Sequence, residues 1–261
     1  MVGIAARDGH PADERGRRMS IHLVGGGWAA ENATENDAVV YGPFLAEAAL
    51  RATAAGRDEP RLAVIVVRDA DGADHAAKLL AAIGAAGPVD PHLTVLGLTD
   101  EATLLAVADV DGIVIGGGLT PAYLSALTPI AGEIRRQVAA GIPYLGYSAG
   151  AMIAAERAVL GGWQIGGVPV SPLDASEGLD EITIENGIGL LDVTVDVHAA
   201  QWGTLSRMVA ATEAGLIRGG LAVDEGTVLI VGQGTLGVAG TGSVWTVSES
   251  EGGVLVSTFG S

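Results

Sequence analysis

Short apolar runs alternate along this chain with longer stretches in which apolar residues recur at helical spacing. The runs predict strands at 21–24, 62–67, 93–98, 112–115, 144–147 and 193–197. The helical stretches lie near 44–55, 73–83 and 202–214, with a short helix after Asp100 and a long one from Thr120-Pro121. Continuous apolar runs are typical of parallel strands that are buried on both faces. The pattern therefore predicts an α/β fold, a parallel sheet covered by helices on both faces.

The last part of the chain has a different pattern. From residue 221 onward, short valine-rich segments near 227–231, 244–247 and 254–258 alternate with glycine turns. This alternation predicts antiparallel hairpins. A chain of 261 residues with 49% hydrophobic content fits one large domain, which we place at 19–261. Residues 1–18 are rich in charge and lack the apolar segment of a secretory signal, so we expect a disordered extension there.

Composition excludes several classes of function. A formal charge of −17 with 14 Lys and Arg disfavours binding to nucleic acid or to anionic membranes. The absence of cysteine excludes disulfides, thiolate metal sites and a cysteine nucleophile. No apolar run reaches the length of a transmembrane helix. We therefore expect a cytoplasmic protein with small-molecule partners.

The strongest chemical signal is the segment Gly146-Tyr147-Ser148-Ala149-Gly150 at the end of an apolar strand. Gly-x-Ser-x-Gly is the pattern of a nucleophile elbow, in which two glycines make room for a tight turn that exposes the serine. We predict a helix from Ala149 to about Arg157, whose first N–H groups face a developing oxyanion. Ser148 is then a candidate nucleophile, and an ordinary strand-to-helix turn is the alternative.

Among the five histidines, His198 is the candidate general base. It ends the strand near 193–197, and the carboxyl ends of strands line the ligand crevice of open α/β sheets. The other four lie in the N-terminal tail, in a strand away from the elbow, at a polar helix start and after a proline turn: His10, His22, His75 and His92.

Two glycine runs have different interpretations. Gly116-Gly117-Gly118 follows a strand, and we predict the N–H of Gly117 as an oxyanion donor beside Ala149, with a flexible loop as the alternative. Gly25-Gly26-Gly27-Trp28-Ala29-Ala30 matches the G-x-G-x-x-A pattern of dinucleotide sites. The acid of such a site closes the second strand about twenty residues on, whereas the candidate here, Asp69, lies 44 residues beyond Gly25, so we predict no dinucleotide site.

The order of four segments resembles that in the dipeptidase E and cyanophycinase family of serine peptidases. These segments are Gly116-Gly117-Gly118, the Ser148 elbow, Asp196-Val197-His198 and Val223-Asp224-Glu225-Gly226-Thr227. The resemblance covers residues 19–231. It implies a fold like that of class I glutamine amidotransferases, with serine replacing cysteine at the elbow. It also implies cleavage of short or unusual peptides, with Ser148 as nucleophile and His198 as general base.

The acid that completes a triad has two candidate positions. Cyanophycinase-like members carry it after the histidine helix, which corresponds to Glu225 here. Dipeptidase E places it between serine and histidine, where this chain holds acids in no matching motif: Asp174, Glu177, Asp180 and Glu181. We favour Glu225, with Asp196 as a second residue that could orient the imidazole.

The chain departs from cyanophycinase beside the histidine. That family has Gln in place of Val197 and arginines where Trp202 and Thr204 stand. Arg207 alone is in register, and we expect it to bind a substrate carboxylate. Trp202 and Val197 predict an apolar or aromatic subsite that rejects a β-aspartyl-arginine unit. Gly118 and Asp196 complete the predicted substrate-binding residues.

Together these features predict a serine hydrolase that cleaves amide bonds of small peptides through an acyl-enzyme, with no metal or cofactor. We expect a small peptide as partner and no nucleic acid or membrane, and the sequence allows a homodimer. An α/β-hydrolase esterase shares the elbow but places histidine near the chain end, whereas 63 residues follow His198. A catalytically silent binding protein of the same fold is the second alternative.

Overall fold

The computed structural model describes residues 20–28, 34–232 and 235–260. The predicted extension of residues 1–18 lies outside this part of the chain. The strands are β1 (Ser20–Val24), β2 (Arg61–Val67), β3 (Asp90–Leu96), β4 (Gly112–Ile115), β5 (Tyr144–Tyr147), β6 (Arg157–Gly161), β7 (Gln164–Ile165), β8 (Val168–Pro169), β9 (Thr183–Asn186), β10 (Thr194–Val197), β11 (Gly219–Val223), β12 (Thr227–Gly232), β13 (Thr235–Gly240), β14 (Ser243–Ser250) and β15 (Gly253–Gly260). The helices are α1 (Thr34–Ala54), α2 (Gly72–Gly84), α3 (Thr120–Leu127), α4 (Ala131–Ala139), α5 (Ala149–Met152) and α6 (Leu205–Glu213). Short 3₁₀ segments lie at Leu104–Val107, Thr128–Ile130 and Leu173–Ala175.

The central sheet has seven strands in the order β13-β12-β1-β5-β4-β2-β3. Strands β1 to β5 are parallel, and β12 and β13 add an antiparallel edge. Successive side chains of β2 enter opposite cores: Leu62 and Val64 pack on the side of α1 and α2, whereas Ala63 and Ile65 pack on the side of α3 and α4. Burial on both faces explains the continuous apolar runs, and the α/β prediction is confirmed.

A second sheet has the order β10-β11-β14-β15. Its first two strands are parallel, and β14 pairs antiparallel with both β11 and β15. The pairs β12–β13 and β14–β15 are the antiparallel pairings that the glycine turns indicated. Since β10 and β11 are parallel neighbours, the residues that follow them meet at one edge of this sheet.

The predicted elbow helix is wrong in length. It was expected to reach Arg157, but α5 ends at Met152. The carbonyl groups of Ile153, Ala154 and Ala155 accept hydrogen bonds from the backbone N–H groups of residues 188, 190 and 189, at 2.7, 2.8 and 3.2 Å. These long-range partners replace the helical bonds, so tertiary pairing overrides the helix propensity of the alanines.

Two other helices also differ from expectation. The long helix expected after Thr120-Pro121 is divided into α3 and α4 by the 3₁₀ segment that contains Pro129, because proline lacks the N–H that helix continuation requires. In contrast, α1 begins at Thr34 and holds Pro43 inside it, although Gly42-Pro43 favours a helix start. Burial of Val40 and Tyr41 in the core offsets the hydrogen bond lost at the proline. No helix in the described ranges is long and apolar enough to cross a membrane.

Candidate active site

Ser148 occupies a strained turn between β5 and α5, with φ of 52°. A Cβ at Gly146 would lie 2.4 Å from the carbonyl oxygen of Gly150, and a Cβ at Gly150 would lie 2.4 Å from that of Ile115. Only glycine fits at either position. The Ser148 N–H donates to the carbonyl of Val24 at 3.0 Å, which fixes the turn against β1. The local sequence therefore builds the sharp elbow that it predicted.

His198 directly follows β10, and its side chain reaches the elbow. It also has a left-handed backbone, with φ of 56°, and its N–H donates to the carbonyl of Gly25 at 3.1 Å. Nε2 of His198 lies 2.9 Å from Oγ of Ser148. The contact joins the carboxyl end of β5 in the central sheet to the carboxyl end of β10 in the second sheet.

Glu225 follows β11, the parallel neighbour of β10. Its Oε1 lies 2.6 Å from Nδ1 of His198, on the opposite side of the ring from Ser148. Asp174 makes no hydrogen bond to the imidazole, and the carboxylate of Glu177 instead accepts the N–H of Thr120 at 3.2 Å. Among the candidate acids, Glu225 is the one in contact with the histidine.

The glycine run after β1 makes room for this pair. A Cβ at Gly26 would lie 2.2 Å from Cε1 of His198, and a Cβ at Gly27 would lie 2.6 Å from the side chain of Glu225. Both glycines have positive φ, 87° and 76°. The run that mimics a dinucleotide motif thus lies against the imidazole and the carboxylate. Sequence reasoning missed this role, although the position of the run at the carboxyl end of β1 was a usable signal.

The predicted oxyanion donor needs a correction. The N–H of Gly117 points at Nε2 of His75, 3.4 Å away, and so is not directed at the elbow. Within the described ranges, the N–H groups of Gly118 and Ala149 donate no hydrogen bond. Arg68 Nη1 and the Tyr123 hydroxyl both donate to the carbonyl of Gly117, at 3.1 Å each, and hold the glycine loop in place. Gly118, predicted to contact substrate, lines the cavity together with Ser148.

His75 was set aside from the sequence, yet it lies in the wall of the site. Trp28 and Tyr147 contact its ring edge-on, with centroids 5.1 and 6.0 Å away. Burial, together with the charge of Arg68, lowers the pKa of His75 from 6.5 to about 4. The ring is therefore neutral near pH 7, and its Nε2 can accept the Gly117 N–H.

The pKa of His198 is also lowered, chiefly by burial. The hydrogen bond and the negative charge of Glu225 act in the opposite direction, and the charges of Asp196 and Arg207 largely face each other. A lowered pKa keeps the imidazole neutral at pH 7, which is the form that can take a proton from Ser148.

Arg207 and Asp196 are placed differently from the prediction that they bind substrate. Arg207 is 2% exposed, and its guanidinium donates to both carboxylate oxygens of Asp196, at 2.9 and 2.8 Å. It also donates to the carbonyls of Gly162 and Ala175, at 3.3 and 2.6 Å. These four hydrogen bonds hold the guanidinium in the interior, and neither Arg207 nor Asp196 lines the cavity. Asp196 likewise does not contact the imidazole that it was expected to orient.

An open cavity of about 810 Å³ surrounds Ser148 and His198. Trp28 and Trp202 form two of its walls: Trp28 stacks on Tyr147 with centroids 5.0 Å apart, and Trp202 stacks on His198. Several charged groups also line the cavity, among them Arg68, Lys78 and Glu177. Val197 and Thr204, expected in the same subsite as Trp202, are buried outside the cavity. Within the described residues, no cluster of His, Asp and Glu could hold a metal ion.

Comparisons with known proteins agree with this architecture. The family model described as peptidase family S51 matches residues 91–237, more than half of the chain. Cyanophycinases from Synechococcus elongatus and Thermosynechococcus vestitus are each 32% identical over 157 residues, which cover 58% of this chain and 46% of each relative. The chain thus spans about half the length of these curated relatives.

A solved structure gives the fold independently. The crystal structure of a candidate peptidase E protein from Listeria monocytogenes EGD-e superimposes with a TM-score of 0.52 at 12% identity, covering 86% of this chain and 100% of that one. At this identity the likeness concerns the fold alone. The family match confirms the resemblance that the elbow and the Asp-x-His strand end predicted, and the chain belongs to peptidase family S51.

Proposed function

We propose that the protein is a serine peptidase that cleaves amide bonds of small peptides through an acyl-enzyme. The observation that carries this proposal is a pair of contacts that share the imidazole. Ser148 Oγ lies 2.9 Å from His198 Nε2, and His198 Nδ1 lies 2.6 Å from Glu225 Oε1. A serine needs an adjacent base, and the base needs a third group that fixes its tautomer. Peptidase family membership supports the same chemistry.

In the first half of the reaction, Ser148 Oγ attacks the scissile carbonyl while its proton passes to Nε2 of His198. Glu225 accepts the Nδ1–H, which keeps Nε2 free to receive that proton and stabilises the imidazolium. His198 then gives the proton to the leaving amine as the C–N bond breaks. A water molecule attacks the acyl-enzyme with His198 again as base, and Ser148 regains its proton when the acid product leaves.

The negative charge on the carbonyl oxygen would be stabilised by the N–H groups of Gly118 and Ala149. Ala149 directly follows Ser148, Gly118 lines the same cavity, and neither N–H donates elsewhere in the described part of the chain. Preorganised donors of this kind contribute about 10²–10³ each to the rate. The macrodipole of α5 adds little, because this helix has four residues.

We propose short peptides with an apolar or aromatic residue beside the scissile bond as substrates. A cavity of about 810 Å³ accommodates a few residues of an extended peptide. Trp28 and Trp202 offer aromatic walls, and Trp202 stands where cyanophycinase carries an arginine. Since Arg207 is buried and hydrogen-bonded to Asp196, it cannot bind the carboxylate of a β-aspartyl-arginine unit.

A fluorophosphonate probe tests the nucleophile directly. We expect labelling of Ser148 in the wild type, none in Ser148→Ala, and wild-type labelling in the matched control Ser206→Ala, whose serine lies in α6 outside the cavity. Hydrolysis of a dipeptide and isopeptide library should fall to background in Ser148→Ala and in His198→Ala. The double variant should be little worse, because triad members act as a unit.

Each alternative predicts a different result. A binding protein would show no labelling and no hydrolysis, and an esterase would be labelled but would cleave ester substrates only. Substantial peptide hydrolysis in either single variant would exclude the proposed nucleophile and base. Efficient release of β-aspartyl-arginine would contradict the proposed specificity.

A further inference from the structure

Trp202 lies flat on the imidazole of His198. The ring centroids are 4.1 Å apart and the planes meet at 12°, a stacked geometry. The indole is 44% exposed, so half of it remains in contact with the cavity. Exposed tryptophans are costly to leave in water, and this one covers a face of the candidate general base.

The backbone imposes this stacking. The chain turns back after His198, and the Trp202 N–H donates to the His198 carbonyl at 2.9 Å. The turn is fastened to β11 and the residues after it: the Ala199 N–H donates to the carbonyl of Val223 at 3.2 Å, and the Ala200 N–H to Asp224 Oδ1 at 3.0 Å. The next side chain, Gln201, accepts the Glu225 N–H at 2.9 Å. The indole is therefore set on the imidazole by a turn that is anchored to the Glu225 segment.

The other contacts of the imidazole are made at its two nitrogens and at Cε1. Ser148 holds Nε2, Glu225 holds Nδ1, and the backbone of Gly26 lies against Cε1. The hydrogen bonds at the two ring nitrogens do not prevent the imidazole from rotating about the line that joins these atoms. A ring stacked on the imidazole opposes that rotation. The charged groups that act on His198 are Glu225, Asp196 and Arg207, the latter two being paired with each other.

We propose that Trp202 is a positioning residue, which holds the plane of the His198 imidazole and stabilises the imidazolium that each proton transfer creates. The proposal rests on the proposed function, since the imidazolium is an intermediate of that reaction. A cation within about 6 Å of a tryptophan ring is attracted by its negative face, and tryptophan is the best of the aromatic side chains for this. The indole thus favours the charged form of the ring that it covers.

Two effects of the indole on the pKa of His198 have opposite signs. Covering the ring excludes water and lowers the pKa, whereas the aromatic face favours the imidazolium and raises it. Leucine at 202 keeps an apolar cover and removes the aromatic face. Trp202→Leu should therefore lower the pKa of His198, by about 0.5, and Trp202→Phe should lower it less.

The test is a histidine NMR titration of the free protein, with the His198 signals identified by their loss in His198→Gln. We expect the lowered pKa in Trp202→Leu, together with a fall of about 3- to 10-fold in kcat on a good peptide substrate and a smaller change in KM. Trp202→Phe should restore most of both. Trp163→Leu, which removes a tryptophan outside the cavity, is the matched control and should keep the wild-type pKa and kcat.

An unchanged pKa and kcat in Trp202→Leu, with a raised KM alone, would overturn the proposal and leave Trp202 as a wall for substrate. The titration needs no turnover, so it decides on Trp202 separately from the peptidase reaction. Failure of the fluorophosphonate to label wild-type Ser148 would refute the proposed function, and an unaltered titration in Trp202→Leu would refute the role of the indole.

Discussion

Glu225 and Glu177 both line the cavity, yet their contacts give them different tasks. Glu225 lies 2.6 Å from Nδ1 of His198. Glu177 accepts the Thr120 N–H at the start of α3, and burial raises the pKa of its carboxyl. Glu177 also has a positive φ of 56°, a strained conformation for a side chain of this size. The contacts thus distinguish Glu225, which bonds to the imidazole of the candidate general base, from Glu177, which attaches its loop to α3.

Replacing Glu225 tests this separation. Glu225→Gln should lower kcat by on the order of 10²–10⁴, because the amide favours the wrong tautomer and cannot stabilise the imidazolium. Since the charge of Glu225 raises the pKa of His198, its loss should move the acid limb of kcat/KM to lower pH. Glu177→Gln, the matched control, should lower kcat by less than about 10-fold and leave the acid limb of the kcat/KM profile at the wild-type pH. The reverse pattern in a pH-rate series would assign the acid to the loop between serine and histidine.

At the scale of elements, Arg207 connects four parts of the fold. It extends from α6 to Asp196 at the centre of β10, and its remaining N–H groups hold the carbonyls of Gly162 after β6 and Ala175 in a 3₁₀ segment. That segment leads directly to Glu177 and the cavity rim. The buried Arg207–Asp196 pair therefore supports the wall of the cavity, although neither residue lines the cavity itself.

Removing the guanidinium should therefore destabilise the protein. Arg207→Ala leaves Asp196 buried and uncompensated, and we expect the free energy of unfolding to fall by roughly 3–5 kcal/mol in urea titrations. Arg136→Ala, which breaks the exposed pair with Glu133, should change the free energy of unfolding far less, because water screens an exposed ion pair. If Arg207→Ala left stability near that of the control and raised KM instead, Arg207 would bind substrate after all.

The elements that the sequence predicted are those whose signal is local. Apolar runs identified the parallel strands, and the two elbow glycines identified the Ser148 turn, because each pattern is read within a few residues. The length of α5 depends on N–H groups some 35 residues ahead, which donate to the carbonyls after Met152, and the burial of Arg207 depends on Asp196 in another element. His75 and Gly26 were missed for the same reason: their partners, Gly117 and His198, are distant in sequence.

At the scale of the whole molecule, the site lies where the two sheets meet. Ser148 belongs to the central sheet, whereas His198 and Glu225 follow strands of the second sheet. The Gly25–Gly27 loop continues β1 of the central sheet, and its carbonyl groups accept the N–H groups of His198 and Gly226, which follow strands of the second sheet. Catalytic geometry therefore depends on how the two sheets pack, and any group that stabilises the loops at this junction also supports the site.

His75 is such a group, and it makes stability depend on pH. Its folded-state pKa is about 4, below the ordinary value of 6.5, because burial disfavours the imidazolium. Between these values the unfolded chain binds more protons, so stability should fall as pH drops from about 6.5 to about 4. The groups that face His75 are Arg68 and Lys78, which lower its pKa, and Asp71, which raises it. The full effect is on the order of 3 kcal/mol.

His75→Gln isolates this contribution. Glutamine keeps an acceptor for the Gly117 N–H at nearly the position of Nε2 but does not titrate. Urea unfolding of both proteins from pH 7 to pH 4 should show the wild type losing stability relative to the variant, with the difference developing below about pH 6.5. Protonation also removes the acceptor that orients the glycine loop, so the wild type should lose fluorophosphonate reactivity in the acid range beyond what His198 alone explains. Parallel stability curves for the two proteins would mean that the buried ring of His75 does not resist protonation, and the glycine loop would then need another support.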